Sequence, residues 1–239
     1  MGLIETTVTR EPRPPKGIVY GLPGVGKTTL GAGFPAPWAL NTEGGLATVH
    51  MPASPVCATW PDAERYLAAF ENEAHDRQTL VVDSLDWMLR RIEEHVAGSK
   101  LADTVGKAHG GYGNGKQVLK NYVYKCVLPV FDRLAARGIT VILLAHASRG
   151  LVTDADGIES ERMAPDLSAD ILPIFVEWSD FVAYARKDGE ARSLVMEETP
   201  RCIAKNRYPG MPATIPMEAD ALLYYVGEAF RVAAAKPTN

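Results

Sequence analysis

The sequence is poor in the residues that build disulfide frameworks, zinc sites and membrane spans. Its 239 residues include three cysteines, the widely separated Cys57, Cys126 and Cys202. Their number and spacing fit neither a zinc site nor a disulfide framework, and favour free thiols in a reducing compartment. No apolar run is long enough to span a bilayer, and the N-terminal residues lack the apolar core of a signal peptide. We therefore expect a cytoplasmic protein with no membrane partner.

A large excess of one charge is also absent. The net charge is -4, with 23% charged and 46% hydrophobic residues, which is ordinary for a globular domain. This balance argues against a uniformly basic protein that coats nucleic acid indiscriminately, although it is compatible with a local basic strip.

Fully apolar segments alternate with helical patterns over the first 146 residues. Residues 17–20, 38–41, 79–83 and 139–145 have the continuous apolar character of strands buried on both faces. Helical periodicity lies between these segments, and is longest over 118–134, where Pro129 predicts a kink. The alternation predicts an α/β fold with a mainly parallel sheet flanked by helices.

The pattern changes after His146. Residues 148–166 are polar, and Asp188-Gly189 predicts a hairpin between two short strands. With a further strand predicted at 201–204 and a helix at 217–234, this half reads as an antiparallel extension of the same sheet. The predicted organisation is an extended arm over 1–16, a core over 17–210 and a helical tail over 211–239.

A glycine-rich segment between the first predicted strand and helix carries the clearest chemistry. Residues 21–28 match G-x-x-x-x-G-K-[ST] at every specified position. Glycines let backbone N–H groups turn toward phosphates, Lys27 supplies positive charge for the β- and γ-phosphates, and the Thr28 hydroxyl can ligate magnesium. The sequence therefore predicts a site for ATP and Mg²⁺. Its predicted contacts are Gly21, Leu22, Pro23, Gly24, Val25, Gly26, Lys27, Thr28 and Thr29.

Two carboxylates follow strands predicted to lie near this loop. Asp83 ends the strand at 79–83, where it can hold magnesium through a water or instead cap the next helix. Glu43 precedes two glycines, which let its carboxylate approach a ligand closely. It can orient or deprotonate an attacking water, but spacing alone supports an exposed turn glutamate equally well.

These elements together resemble the core of RecA-type ATPases. After the phosphate loop come Asn41-Thr42-Glu43, Val81-Val82-Asp83-Ser84, Leu143-Leu144-Ala145-His146 and Lys205-Asn206-Arg207. Their order and spacing are most similar to compact phage RecA-like ATPases of single-strand annealing and recombination, over roughly residues 17–210. The resemblance implies a RecA-like fold, Mg²⁺-dependent ATP hydrolysis, and a homo-oligomer with ATP at subunit interfaces. It also implies the host cytoplasm if the protein is phage-encoded.

The resemblance also implies roles for individual residues. Glu43 would polarise the attacking water, Asp83 would be the magnesium-side carboxylate, and His146 would sense the γ-phosphate. Lys205 and Arg207 match a Lys-x-Arg pair that reaches the nucleotide of a neighbouring subunit, where a cation stabilises developing phosphate charge. Without the resemblance, His146 and the Lys-x-Arg pair would be interpreted as structural.

DNA-binding loops of this family would fall near 100–116 and 148–168. Residues 100–125 carry five lysines against one aspartate, which suits a sequence-neutral grip on single strands. The predicted contacts are Lys107, His109, Tyr112, Lys116 and Lys120. Residues 148–168 carry five carboxylates against two arginines, and this net charge of -3 makes a poor phosphate clamp.

The resulting expectation is an ATP-dependent ATPase that binds single-stranded DNA in phage-type recombination or annealing. A KaiC-like nucleotide-gated assembly or signalling ATPase without a DNA partner is the first alternative, and the acidic second loop favours it. A replicative helicase motor is a further alternative.

Overall fold

The computed structural model describes residues 12–98, 114–153 and 159–235. The strands are β1 Lys16–Gly21, β2 Pro37–Asn41, β3 Thr79–Asp83, β4 Thr140–Thr153, β5 Glu159–Pro165, β6 Phe181–Asp188, β7 Ala191–Val195, β8 Lys205–Asn206 and β9 Thr214–Pro216. The α-helices are α1 Lys27–Ala32, α2 Trp60–Asn72, α3 Leu85–Ala97, α4 Asn114–Tyr122, α5 Leu128–Ala136, α6 Leu172–Trp178 and α7 Ala219–Ala235. A short 3₁₀ helix spans Gly45–Thr48.

One sheet organises the chain, with the strand order β2-β3-β4-β1-β6-β7-β9. The strands from β2 to β6 pair in parallel, whereas β7 and β9 continue the sheet antiparallel. The predicted α/β fold, with a mainly parallel sheet flanked by helices and an antiparallel C-terminal extension, is confirmed. The hairpin predicted at Asp188-Gly189 joins β6 to β7, and Gly189 has the positive φ of 58° that this turn requires.

Alternate residues of the central strands enter two separate cores. Leu80 and Val82 face the core that contains residues of α2 to α6, while Val81 faces the core that contains residues of α1 and α7. Side chains of a strand alternate between its two faces, so a strand covered on both must be apolar throughout. This double burial explains the continuous apolar segments of the sequence.

The segment after His146 differs from the polar loop that the sequence suggested. β4 continues to Thr153 and pairs antiparallel with β5, from Ala147 opposite Pro165 to Thr153 opposite Glu159. The two strands satisfy each other's backbone hydrogen bonds, so they need no continuous apolar pattern to form. The dipeptide Asp156-Gly157, whose sequence predicts a turn, lies outside the described residues.

The long helix predicted over 118–134, with its irregularity near Pro129, is present, whereas one predicted strand is not. The long helix contains a π-helical turn at Val123–Val127, because Pro129 has no N–H with which to continue the regular α-helical ladder. The strand predicted at 201–204 is absent. Cys202 there makes only isolated bridges to Met163 and Thr199, and the paired strand β8 begins at Lys205.

The ends of the described chain pack onto the same sheet. Most of the arm predicted over 1–16 lies outside the described residues, and Lys16 begins β1. In the predicted tail, β9 pairs with β7, and α7 contributes Leu222 and Val226 to a core. No helix in the described ranges has both the length and the apolarity to cross a membrane.

Candidate nucleotide-binding site

Four polar sequence elements meet at one edge of the sheet. The phosphate loop follows β1, Glu43 lies just beyond β2, Asp83 ends β3, and His146 lies in β4. Gly21 is opposite His146 in the strand register, and Asn41 is opposite Asp83. The parallel pairing therefore gathers residues that are far apart in sequence, at the carboxyl edge where ligands bind in open α/β sheets.

The phosphate loop is built around the side chain of Lys27. Gly24 and Gly26 have φ values of 77° and 106°, in the left-handed region that favours glycine. Lys27 is 8% exposed, and its Nζ donates hydrogen bonds to the carbonyls of Gly21 at 2.9 Å and Leu22 at 3.2 Å. Burial lowers the pKa of Lys27, and the negative charges of Asp83 and Glu43 oppose that shift. The loop thus holds a cation in a backbone cradle, as phosphate binding requires.

A hydroxyl and a carboxylate lie side by side next to the loop. Thr28 Oγ1 donates a hydrogen bond to Asp83 Oδ2 at 2.8 Å. Burial raises the pKa of Asp83, and the hydrogen bond from Thr28 opposes this. These hard oxygen donors fit Mg²⁺, which proteins usually bind through one or two carboxylates together with substrate phosphates. Over the described residues, no group of three or more His, Cys, Asp or Glu side chains forms a metal cage of its own.

Glu43 lies on a turn that is fixed at both sides. Before it, Thr42 donates from its backbone N–H to the carbonyl of Asp83 at 2.9 Å and from its hydroxyl to that of Ser84 at 2.7 Å. After it, Gly44 has a φ of 96° and donates its N–H to Asn41 Oδ1 at 2.8 Å. Glu43 Oε1 lies 3.5 Å from His146 Nε2. The turn therefore directs this carboxylate toward the sheet edge beside the phosphate loop.

His146 contacts a second carboxylate that the sequence analysis did not identify. Asp86 lies in the first turn of α3 and is 2% exposed. Its Oδ1 accepts the backbone N–H of His146 at 3.0 Å, and its Oδ2 lies 2.9 Å from His146 Nδ1. The hydrogen bond with Asp86 raises the pKa of His146. Burial acts to raise the pKa of Asp86, but the hydrogen bonds from His146 outweigh it and the pKa is lowered.

Arg192 on β7 also lies beside the phosphate loop and was not predicted. Its Cδ and Nε would be 3.5 Å from a Cβ atom at Gly26. Within the part of the chain that the structure describes, its guanidinium has no hydrogen-bond or ion-pair partner. Arg192 lies 166 residues after Gly26, and only the β6–β7 hairpin brings it here, so local sequence carried no signal.

Lys205 and Arg207 lie toward the opposite edge of the sheet. Lys205 pairs with Val182 near the start of β6, whereas the phosphate loop follows Gly21, opposite Ala185. Three residues along a strand correspond to about 10 Å. Lys205 and Arg207 both donate to carbonyls at the C-terminal end of α6. The structure does not bring this pair to the phosphate loop of the same chain.

Only part of the predicted DNA-binding set falls within the described residues. Lys107, His109 and Tyr112 lie outside them. Lys116 and Lys120 lie on α4, where their Nζ atoms form ion pairs with Asp170 at 3.1 Å and 3.0 Å.

Comparisons with known proteins place the chain in a family. No curated protein matches its sequence. A similar solved structure is that of the flagellar accessory protein FlaH from Methanocaldococcus jannaschii, with 11% identity and a TM-score of 0.43 over 87% of this chain and 91% of that one. The family model AAA_24, described as an AAA domain, matches residues 13–208. Because this match covers most of the chain, the protein belongs to the AAA_24 family of AAA domains.

Proposed function

We propose that this protein is a RecA-like ATPase that binds ATP with Mg²⁺ at the phosphate loop and hydrolyses it. The observation that carries the proposal is the convergence of Lys27, the Thr28–Asp83 pair and the Glu43–His146 pair at one sheet edge. Family membership supports the same activity.

Each group at this edge has a charge that suits one part of the substrate. Lys27 and the loop N–H groups would bind the phosphates, and Arg192 is a second cation beside the loop, near Gly26. Thr28 and Asp83 would hold Mg²⁺, which neutralises phosphate charge when bound.

Glu43 is the group placed to act on water. A carboxylate next to the phosphate site can orient the attacking water and accept its proton as the oxygen bonds to the γ-phosphorus and ADP leaves. His146 Nε2 lies 3.5 Å from this carboxylate, where the imidazole ring can help to hold Glu43 in place.

The Mg²⁺ part of the proposal is tested by replacing Thr28. Thr28→Ala removes the hydroxyl, while Thr28→Ser keeps it and serves as the matched control. We expect wild type and T28S to bind ATP more tightly with Mg²⁺ than with EDTA, and T28A to lose most of this difference. Calorimetric ATP titrations would measure it. A T28A protein with the full Mg²⁺ effect would contradict the assignment.

We further propose that single-stranded DNA is the partner and that nucleotide state controls its binding. The lysine-rich stretch over 100–125 supports this, because a basic segment suits sequence-neutral contact with a phosphate backbone. The ion pairs of Lys116 and Lys120 with Asp170 are at the surface, where such pairs contribute about 0–1 kcal/mol each. DNA phosphates can therefore compete for these lysines.

A nucleotide-gated assembly protein without a DNA partner remains the second candidate. Asp170 already neutralises part of the charge of Lys116 and Lys120. The β4–β5 segment over 148–168 carries a net charge of -3, which repels phosphates.

Single-strand binding across a salt series separates these candidates. DNA binding is measured with a non-hydrolysable ATP analogue, and the logarithm of the binding constant is plotted against the logarithm of the salt concentration. We expect the slope to change by about 0.7 for each DNA phosphate that the protein no longer neutralises. Lys116→Ala/Lys120→Ala should weaken binding of all sequences about equally and flatten the slope. The control Arg77→Ala/Arg231→Ala removes two charges outside the lysine-rich stretch and should leave the slope unchanged. No binding by wild type at low salt with the analogue would favour the assembly protein.

A homo-oligomer with ATP between subunits is the third part of the proposal. Lys205 and Arg207 lie away from the phosphate loop of their own chain, so a nucleotide contact by this pair requires a neighbouring subunit.

A further inference from the structure

Asp86 is a buried carboxylate in the first turn of α3 that lies directly against His146. It is 2% exposed, and its helical neighbours Leu85 and Met88 are fully buried. Burying a carboxylate is strongly unfavourable unless its oxygens have hydrogen-bond or charged partners. Both of its oxygens are used by His146, one by the backbone and one by the ring. The buried face of α3 therefore carries the charge of Asp86, and this charge acts directly on His146.

The two contacts constrain His146 in different ways. The hydrogen bond from its backbone N–H to Asp86 Oδ1 ties α3 to β4 at this position. The contact of Nδ1 with Oδ2 at 2.9 Å fixes the rotation of the ring. An ionised carboxylate can only accept hydrogen bonds, so the proton must lie on Nδ1. The other nitrogen, Nε2, then faces Glu43 at 3.5 Å.

We propose that Asp86 is a positioning residue that holds the His146 ring with Nδ1 protonated and Nε2 toward Glu43. Asp86 acts on hydrolysis only through His146. This rests on the proposed function for its kinetic consequence, but the state of the ring is a property of the free protein and can be measured without turnover.

Asp86→Asn is the sharpest perturbation of this arrangement. The amide oxygen can still accept the backbone N–H of His146, but the amide nitrogen then donates toward Nδ1 where the carboxylate accepted. The change keeps size and burial while reversing the hydrogen bond that sets the ring. Partners that orient metal-ligating histidines typically affect activity by about 10- to 100-fold, and we expect an effect of this order here.

Two measurements test the proposal. First, ¹⁵N NMR of histidine rings should show Nδ1 of His146 protonated in wild type, and a change at that nitrogen in D86N. His146→Gln identifies the signal. Second, D86N should lower ATP turnover about tenfold or more in the wild-type background and less than about twofold in H146Q, with ATP affinity little changed in both.

Each outcome bears on a different claim. An Nδ1 without a proton in wild type overturns the proposal, even if D86N does not fold. Equal slowing by D86N in both backgrounds also overturns it, because Asp86 would then act independently of His146. If wild type hydrolyses no ATP, the proposed function fails, while the NMR measurement still decides the role of Asp86.

Discussion

The contacts of Lys205 predict how much stability the protein loses when its ammonium group is removed. Its Nζ donates to the carbonyls of Val176 at 2.6 Å, Glu177 at 3.0 Å and Ser179 at 2.8 Å, at the end of α6. These are carbonyls that a helix leaves without intrahelical partners. Lys205→Met keeps most of the apolar stem and removes the ammonium, so it measures what these three hydrogen bonds contribute to stability.

The expected cost of Lys205→Met is about 2 kcal/mol of unfolding free energy. A hydrogen bond to a charged group contributes about 1.5–3 kcal/mol. The three contributions do not add fully, because one ammonium serves all three carbonyls and water can hydrogen-bond to some of them in the variant. Burial lowers the pKa of Lys205, which shows that burying its charge has an opposing cost. In a domain of this size, such a loss lowers the melting temperature by about 4–8 °C.

Calorimetric or fluorescence melting curves would measure this shift. Lys187→Met is the matched control, because the Nζ of Lys187 is 3.9 Å from Glu190 at the surface, and little change is expected. A melting temperature of K205M within about 1 °C of wild type would refute the capping argument.

A second experiment tests whether Lys205, besides capping α6, also acts on the nucleotide of a neighbouring subunit. Well below its melting temperature, K205A/R207A should bind ATP in its own loop but hydrolyse it poorly. Mixed with Lys27→Ala, it should regain activity above the sum of the two proteins, and dilution should reduce this gain. Strictly additive activity from subunits shown to co-assemble would remove the role in trans and leave the cap.

Two further predictions concern the site. Arg192→Ala should weaken ATP binding about tenfold, because it removes a cation beside the phosphate loop. The control Arg186→Ala removes a hydrogen bond to Ser193 and should change ATP affinity less than about twofold. Equal effects of the two variants in ATP titrations would contradict the role of Arg192. The ion pair of His146 and Asp86 should stabilise the protein most at a pH where both side chains are charged. The pKa of His146 in the folded protein is raised above 6.5, so the contribution of His146 is complete below pH 6.5. The pKa of Asp86 in the folded protein is lowered below 3.8, so the contribution of Asp86 is complete above pH 3.8. The difference in unfolding free energy between wild type and His146→Gln should therefore shrink as pH rises through the raised pKa, and a difference that grows with pH in denaturant titrations would contradict this pairing.

The sequence was most informative where structure is determined locally. The strand 79–83 was predicted with its observed bounds, because burial on both faces requires an uninterrupted apolar run. The phosphate loop was recognisable because its glycines and Lys27 serve a geometry formed within eight residues. Most helices and parallel strands followed from periodicity.

The sequence was least informative where function depends on long-range packing. Asp86 and His146 are 60 residues apart and meet because β3 and β4 are neighbours in the sheet. The available signal was an acidic residue at a buried position of the α3 helix. Arg192 had no comparable signal. The antiparallel β4–β5 pair escaped prediction because its polar strands stabilise each other through backbone hydrogen bonds rather than through a shared apolar face.

The central claim is that this site hydrolyses ATP with Glu43 as the group that acts on water. The most direct test measures ATP binding and phosphate release on the same samples of wild type and Glu43→Gln. The amide keeps the shape of the side chain but cannot accept a proton, and a positioned general base contributes about 10²–10⁴-fold. We predict near-normal ATP affinity with hydrolysis lowered at least tenfold. Unchanged phosphate release by the variant would contradict this account and would make Glu43 only a residue of the turn.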